Sequence, residues 1–177
     1  MKYSEYYPRY LYREPLIIAG HVGFQFEPPT FFGFHPPQWA IEQEGGIENV
    51  LTKLSHHEEL SGTIQDDTEV FHLAYELSLN RSREIQAEDR LHVYYMDVAV
   101  EDAVFDTAYE TCQDWYNQEY VRAYSWPPIS EQSTYDNCST VQRHLHIPIP
   151  YFESHRGQMR LYITVFQRFG KLWTPET

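Results

Sequence analysis

Cysteine is almost missing from this chain: Cys112 and Cys138 are the only two among 177 residues. Two thiols cannot staple a small scaffold, so a disulfide-built secreted domain is excluded and a reducing compartment is expected. Glycine and alanine are scarce, with eight glycines in all, which excludes collagen-like repeats and long Ala-rich bundles. No apolar run approaches the roughly eighteen residues of a membrane span, and MKYSEYYPRYLYREP has no signal-peptide core. Positive charge is short as well, with 13 Lys and Arg against 26 Asp and Glu. Direct binding to nucleic acid by the acidic part is therefore disfavoured, because phosphate contacts need basic side chains. The expected setting is intracellular or inside a virion, with no membrane attachment and no cofactor.

What the chain does have is aromatic surface and unevenly placed charge. Aromatic residues reach 16%, fifteen of them Tyr. Tyr covers apolar surface while keeping a polar tip, which suits contact surfaces. Residues 1–38 are neutral overall. Residues 39–138 carry twenty-one acids and five bases, a net of −16, and residues 139–177 carry +3. An acidic middle and a basic end are complementary, so neighbouring copies could meet head to tail.

The strongest local signal is EDAVFDTAYETCQDWYNQEYV, residues 101–121. At about 100° per residue, Asp102, Asp106, Glu110 and Asp114 form one stripe. Val104, Phe105, Ala108, Cys112, Trp115 and Tyr116 take the other side. The spacing predicts an amphipathic helix with Cys112 on its buried face.

Taken in order, residues 1–15 carry Tyr3, Tyr6, Tyr7, Tyr10 and Tyr12 around Pro8 and read as an extended arm. Residues 16–26 read as a strand interrupted by Gly20 and Gly23. In EPPTFFGFHPPQW two proline pairs bracket Phe31, Phe32, Phe34 and His35, with Trp39 following, and this predicts a recognition loop or a lid. Residues 47–60 read as a helix, with His56, His57, Glu58 and Glu59 at a solvated end rather than on one ion. Residues 61–67 read as a polar turn. Alternating patterns predict strands at 69–79, 91–100, 144–149 and 159–169. The sum is an α+β domain: an antiparallel sheet of about five strands, two helices on one face, and a Tyr/Pro-rich N-terminal arm. Residues 1–40 would form the arm and first strand, and residues 41–177 a single domain.

Motifs that name a reaction are missing: no GxSxG, no phosphate loop, no Cys-His-Asn grouping of known spacing. Cys138, in DNCS, falls in a polar loop where nothing in the adjacent sequence activates it. His144 and His146 alternate on a predicted strand and could share a metal. The sequence therefore points first to a non-catalytic structural or assembly subunit, such as a ring or connector component of a virus or phage particle. Its partners would be proteins, in a homo-oligomer or larger assembly. The contact residues would be Tyr6, Tyr7, Tyr10, Phe31, Phe32, Phe34, Trp39 and the stripe Asp102, Asp106, Glu110 and Asp114. One alternative is an acidic inhibitor whose stripe imitates nucleic acid. Another is a metal-dependent enzyme using His144 and His146.

Overall fold

The computed structural model describes residues 4–12, 21–81, 92–95, 97–126, 132–147 and 170–176. Strands β1 (Ser4–Tyr12), β2 (His21–Gln25) and β3 (Phe32–His35) come first, followed by helices α1 (Gln38–Gln43) and α2 (Ile47–Ser55). Then come β4 (Leu60–Asp66), α3 (Thr68–Arg81), β5 (His92–Tyr95) and β6 (Val98–Val100). Helix α4 (Asp102–Asn117), β7 (Arg122–Tyr124), a 3-10 helix at Thr140–Arg143 and β8 (Lys171–Leu172) complete the set. The sheet runs β7-β4-β3-β2-β1-β5-β8, with β6 also pairing β1, and its ladders are antiparallel. The class is thus the expected α+β with an antiparallel sheet.

The hairpin of β2 and β3 sets the centre. Gly23 pairs with Gly33 and Phe24 with Phe32. Because side chains alternate across a strand, Val22, Phe24, Phe32 and Phe34 share one face. That face joins Val50 and Leu54 of α2, Ala108 and Cys112 of α4, and Val141 and Leu145 in one cluster. A second cluster gathers Phe31, Phe71, Ala74, Val93, Tyr95 and Trp173. Burying each large side chain contributes roughly 1.5–3 kcal/mol.

Several sequence expectations are overturned. Residues 69–79 are not a strand but the body of α3. Phe71, Ala74 and Tyr75 turn inward at helical spacing, whereas Leu73 and Leu79 of the apparent alternation are exposed. The helix start was written in the sequence: Asp66 Oδ1 accepts from the backbone N–H and the hydroxyl of Thr68, a side-chain turn that opens a helix. Residues 61–67, expected as a polar turn, are mostly β4, held on both edges by β3 and β7. The bracketed aromatic stretch contains β3, because its prolines fall at 28, 29, 36 and 37, outside the ladder. Residues 91–100 give two short strands that pair with β1, not with residues 69–79. Of the strand expected at 144–149, the described residues 144–147 are a turn instead: Asn137 Oδ1 accepts from the N–H groups of Ser139 and Thr140, and the capped turn carries the chain into the 3-10 helix. The strand expected at 159–169 lies outside the described residues.

Helix α4 is as the spacing predicts, with Ala108 and Cys112 buried and all four stripe carboxylates exposed. Leu145 is fully buried, so Leu145→Ala should lower unfolding free energy by about 2–5 kcal/mol in a denaturant titration.

Candidate functional site

Two histidines end facing strands. Continuing the register that pairs Gly23 with Gly33 sets His21 opposite His35, and the ring centroids are 5.4 Å apart. Both lie, with the two glycines, on the side of the hairpin away from Phe24 and Phe34. Asp67, the last residue before α3, enters from that side. Its Oδ2 is 2.5 Å from His21 Nε2 and its Oδ1 is 2.7 Å from His35 Nε2. The carboxylate is 1% exposed, and the His21 and His35 side chains 17% and 29%. The three ligand-type atoms all lie within 4.8 Å of one another.

The backbone is arranged to admit that carboxylate. Asp67 N–H donates to Phe31 O, and Phe31 N–H donates to Thr68 Oγ1, so the α3 start is tied to the β3 start. A Cβ on Gly33 would overlap the Asp67 carboxylate and come within 2.9 Å of His21 Nε2. Glycine is needed here for space, not for an unusual backbone angle. Gln65 on β4 donates its amide to His35 Nδ1 and to His35 O at 3.0 Å each, and fixes the His35 ring from behind.

Charge follows geometry. Burial alone would pull the His21 pKa down, but the Asp67 carboxylate and its hydrogen bond raise it from 6.5 to about 10. Burial alone would push Asp67 up, yet His21 first and His35 second hold it well below the usual carboxylate range. The Cys138 side chain, which packs in the Phe24 and Phe34 cluster, adds a smaller upward push on His21.

Cys138 is carried on a stiff loop. Asp136, fully buried, accepts a 2.5 Å hydrogen bond from Arg122 Nε, and Arg143 Nε approaches its other oxygen at 2.9 Å as an ion pair without hydrogen-bond alignment. The backbone of Asp136 is tied to Ala123 and Ser125. One residue on, Asn137 is locked reciprocally to Thr140, whose hydroxyl accepts from the Asn137 N–H. Cys138 itself is 5% exposed.

The sequence candidates are distributed differently. His144 turns to the Arg122–Asp136–Arg143 network; burial first and then the two guanidiniums lower its pKa against the pull of Asp136, and its Nε2 accepts from Arg122 and Arg143. His146 is exposed in a left-handed turn, φ 57°. Among the described residues, the cluster with metal-ligand spacing is His21, His35 and Asp67, and neither His144 nor His146 belongs to it. Phe31, Phe32 and Phe34 are interior packing groups, against Phe71 and Trp173, Tyr116, and Tyr124 respectively. Trp39 is 40% exposed. Tyr6, Tyr7 and Tyr10 sit on β1, the first two toward its β6-paired and β2-paired ends. Sequence reasoning missed His21, His35, Asp67 and Cys138 as a group. The legible signal was the mirror pair HVGF and FGFH about the Pro28–Pro29 turn, followed by DDT at a helix start.

No protein-family model, curated protein or solved structure matches this chain.

The His21–Asp67 pair has a defined pH signature. A raised His21 pKa contributes stability that is complete below about pH 6.5 and is lost as pH rises through about 10. A depressed Asp67 pKa contributes stability present above about pH 3.8 and lost as pH falls below it. Unfolding free energy measured against pH should therefore decline on the alkaline side over that window, and Asp67→Asn should abolish the decline. A His21 NMR titration that stays near 6.5 in the unaltered protein would contradict the assignment.

Proposed function

We propose that this protein is a thiol-dependent acyl-transfer enzyme or hydrolase in which Cys138 is the nucleophile, His21 the proton carrier and Asp67 the group that orients His21. The observation that carries the reading is His21 paired with the buried Asp67 carboxylate, with the Cys138 side chain close enough to add to the upward push on its pKa. Nucleophile, base and orienting acid in that sequence of contacts are what attack on a carbonyl requires, whatever the order along the chain. The sequence reading leaned away from an enzyme because no motif names a reaction; His21, Asp67 and Cys138 lie far apart along the chain.

In the attacking form the thiol proton resides on His21, and Asp67 stabilises the imidazolium. Cys138 Sγ adds to the carbonyl carbon of an amide or ester. Collapse of that adduct breaks the bond to the leaving amine or alcohol, which takes the His21 proton, and a thioester remains on Cys138. Water or an acceptor nucleophile then loses its proton to His21 as it attacks the thioester, and the thiol is restored. His35 positions rather than reacts: it holds the second carboxylate oxygen, so that Asp67 keeps one oxygen aimed at His21. Gln142, in the 3-10 helix after Cys138, is fully buried, and neither of its amide atoms has a hydrogen-bond partner among the described residues. Such a group is costly unless something completes it, and a substrate carbonyl would.

A second reading keeps one observation of its own. The exposed ladder Asp102, Asp106, Glu110 and Asp114 on α4 supports the assembly-subunit role, with a basic protein surface as the partner. Asp106→Lys with Glu110→Lys should then abolish self-association in light scattering while leaving the fold intact; a salt-insensitive monomer in the unaltered protein ends that reading.

Iodoacetamide tests the first reading, with Cys112 as an internal reference. Cys112 is fully buried on α4, and burial pushes its thiol pKa up. Cys138 should be alkylated at neutral pH while Cys112 is spared, and His21→Gln should slow labelling of Cys138 by about tenfold or more. Equal labelling in the two proteins, with chelator present throughout, removes His21 from the mechanism.

A further inference from the structure

The same corner of the hairpin has a second chemistry. His21, His35 and Asp67 each offer one ligand atom, and the three atoms lie within 4.8 Å of one another on three separate, well-anchored elements. Zinc bonds to imidazole nitrogen and carboxylate oxygen of about 2.0–2.2 Å place tetrahedral ligand atoms roughly 3.4 Å apart. The present Nε2–Oδ separations of 2.5 and 2.7 Å need to open by less than about 1 Å to reach that.

A further observation concerns the His35 ring. A metal at Nε2 requires the ring proton on Nδ1, with an acceptor to hold it, which is the usual arrangement behind a ligating histidine. His35 Nδ1 is 3.1 Å from the backbone carbonyl of Pro36 and 3.0 Å from the Gln65 amide nitrogen, so an ion at Nε2 would turn the Nδ1 proton onto Pro36 O and the Gln65 amide off the ring, keeping its bond to His35 O. Gly33, with no Cβ, lets the Asp67 carboxylate lie against the strand beside His21 Nε2. Two imidazoles with one carboxylate select a borderline transition ion over magnesium or calcium, which prefer oxygen alone.

We propose that His21, His35 and Asp67 form an inhibitory site for a divalent transition ion of the zinc class. The ion occupies His21 Nε2 and the Asp67 carboxylate, the two groups that otherwise hold and stabilise the proton taken from Cys138. With the ion in place, His21 has no means of serving the thiol. The inhibition rests on the thiol reading given above; the occupancy of the site does not.

The experiment uses the full chain and two readouts. Equilibrium dialysis against zinc, with cobalt substituted for the visible spectrum, should give one ion per chain in the unaltered protein and in Cys138→Ala. His35→Gln, at a part-exposed position, should weaken binding by about tenfold or more while its thermal melt stays cooperative. Saturating zinc should slow alkylation of Cys138, and a chelator should restore it. Failure of the unaltered protein to retain stoichiometric zinc or cobalt overturns the proposal, as does loss of the ion in Cys138→Ala, which would make the thiol a ligand of a different site. Stoichiometric ion together with a Cys138 that is unreactive in its presence and absence leaves the metal site standing and removes the thiol reading.

Discussion

A carboxylate excluded from water is the constraint on which the remainder of this protein turns. Placing Asp67 in the interior would cost several kcal/mol if it were unpaired, and the neutral acid would then be the stable form. Two imidazoles remove that cost, one at each oxygen, and two hydrogen bonds from Asp67 N–H to Phe31 O and from Phe31 N–H to Thr68 Oγ1 fix the geometry. The consequence reaches outward. The pair must be met by two strands in a single register, by a glycine at position 33, and by a helix that begins at residue 68. A slip of one residue in the β2–β3 register would turn one of the two histidines to the Phe24 face and leave one Asp67 oxygen without its partner.

A second buried carboxylate does a different job. Asp136 is surrounded by Arg122, Arg143 and His144, more positive charge than it can neutralise, and its backbone is stitched to β7. Nothing about that network needs a proton to move. It fixes where the chain leaves β7 and how it enters the 3-10 helix, and the residue delivered between those two anchors is Cys138. The molecule thus keeps one acid for charge compensation at the histidines and another as a mooring for the thiol loop.

How much of this was readable beforehand depended on whether the deciding contact was local. The amphipathic helix α4 was legible because its pattern repeats over sixteen residues and needs no partner to be recognised. Helix α3 was misread because Leu73, Leu77 and Leu79 imitate alternation, while the evidence for a helix sat in one capping turn at Asp66–Thr68. β4 was misread because Ser61, Thr63, Gln65 and Asp66 look like turn residues; membership of a sheet with neighbours on both edges overrides that local preference. The site failed for a related reason. His21, His35 and Asp67 meet only through strand register and a tethered helix start, and a spacing along the chain carries no trace of either. HLH, by contrast, offered a tidy alternation and proved to be a turn, with His144 engaged by Asp136 and the arginines.

The glycine at position 33 has a consequence for descent. Since the carboxylate fills the volume where a methyl group would sit, no other amino acid can be installed there without dismantling the charged trio. Chains that inherited the same chemistry should therefore carry a palindromic signature, histidine two places before one glycine and two places after another, then an aspartate in the single-residue link between a strand and a helix. That arrangement could persist after every surface residue has drifted, and it offers a route to kin whose overall likeness has faded.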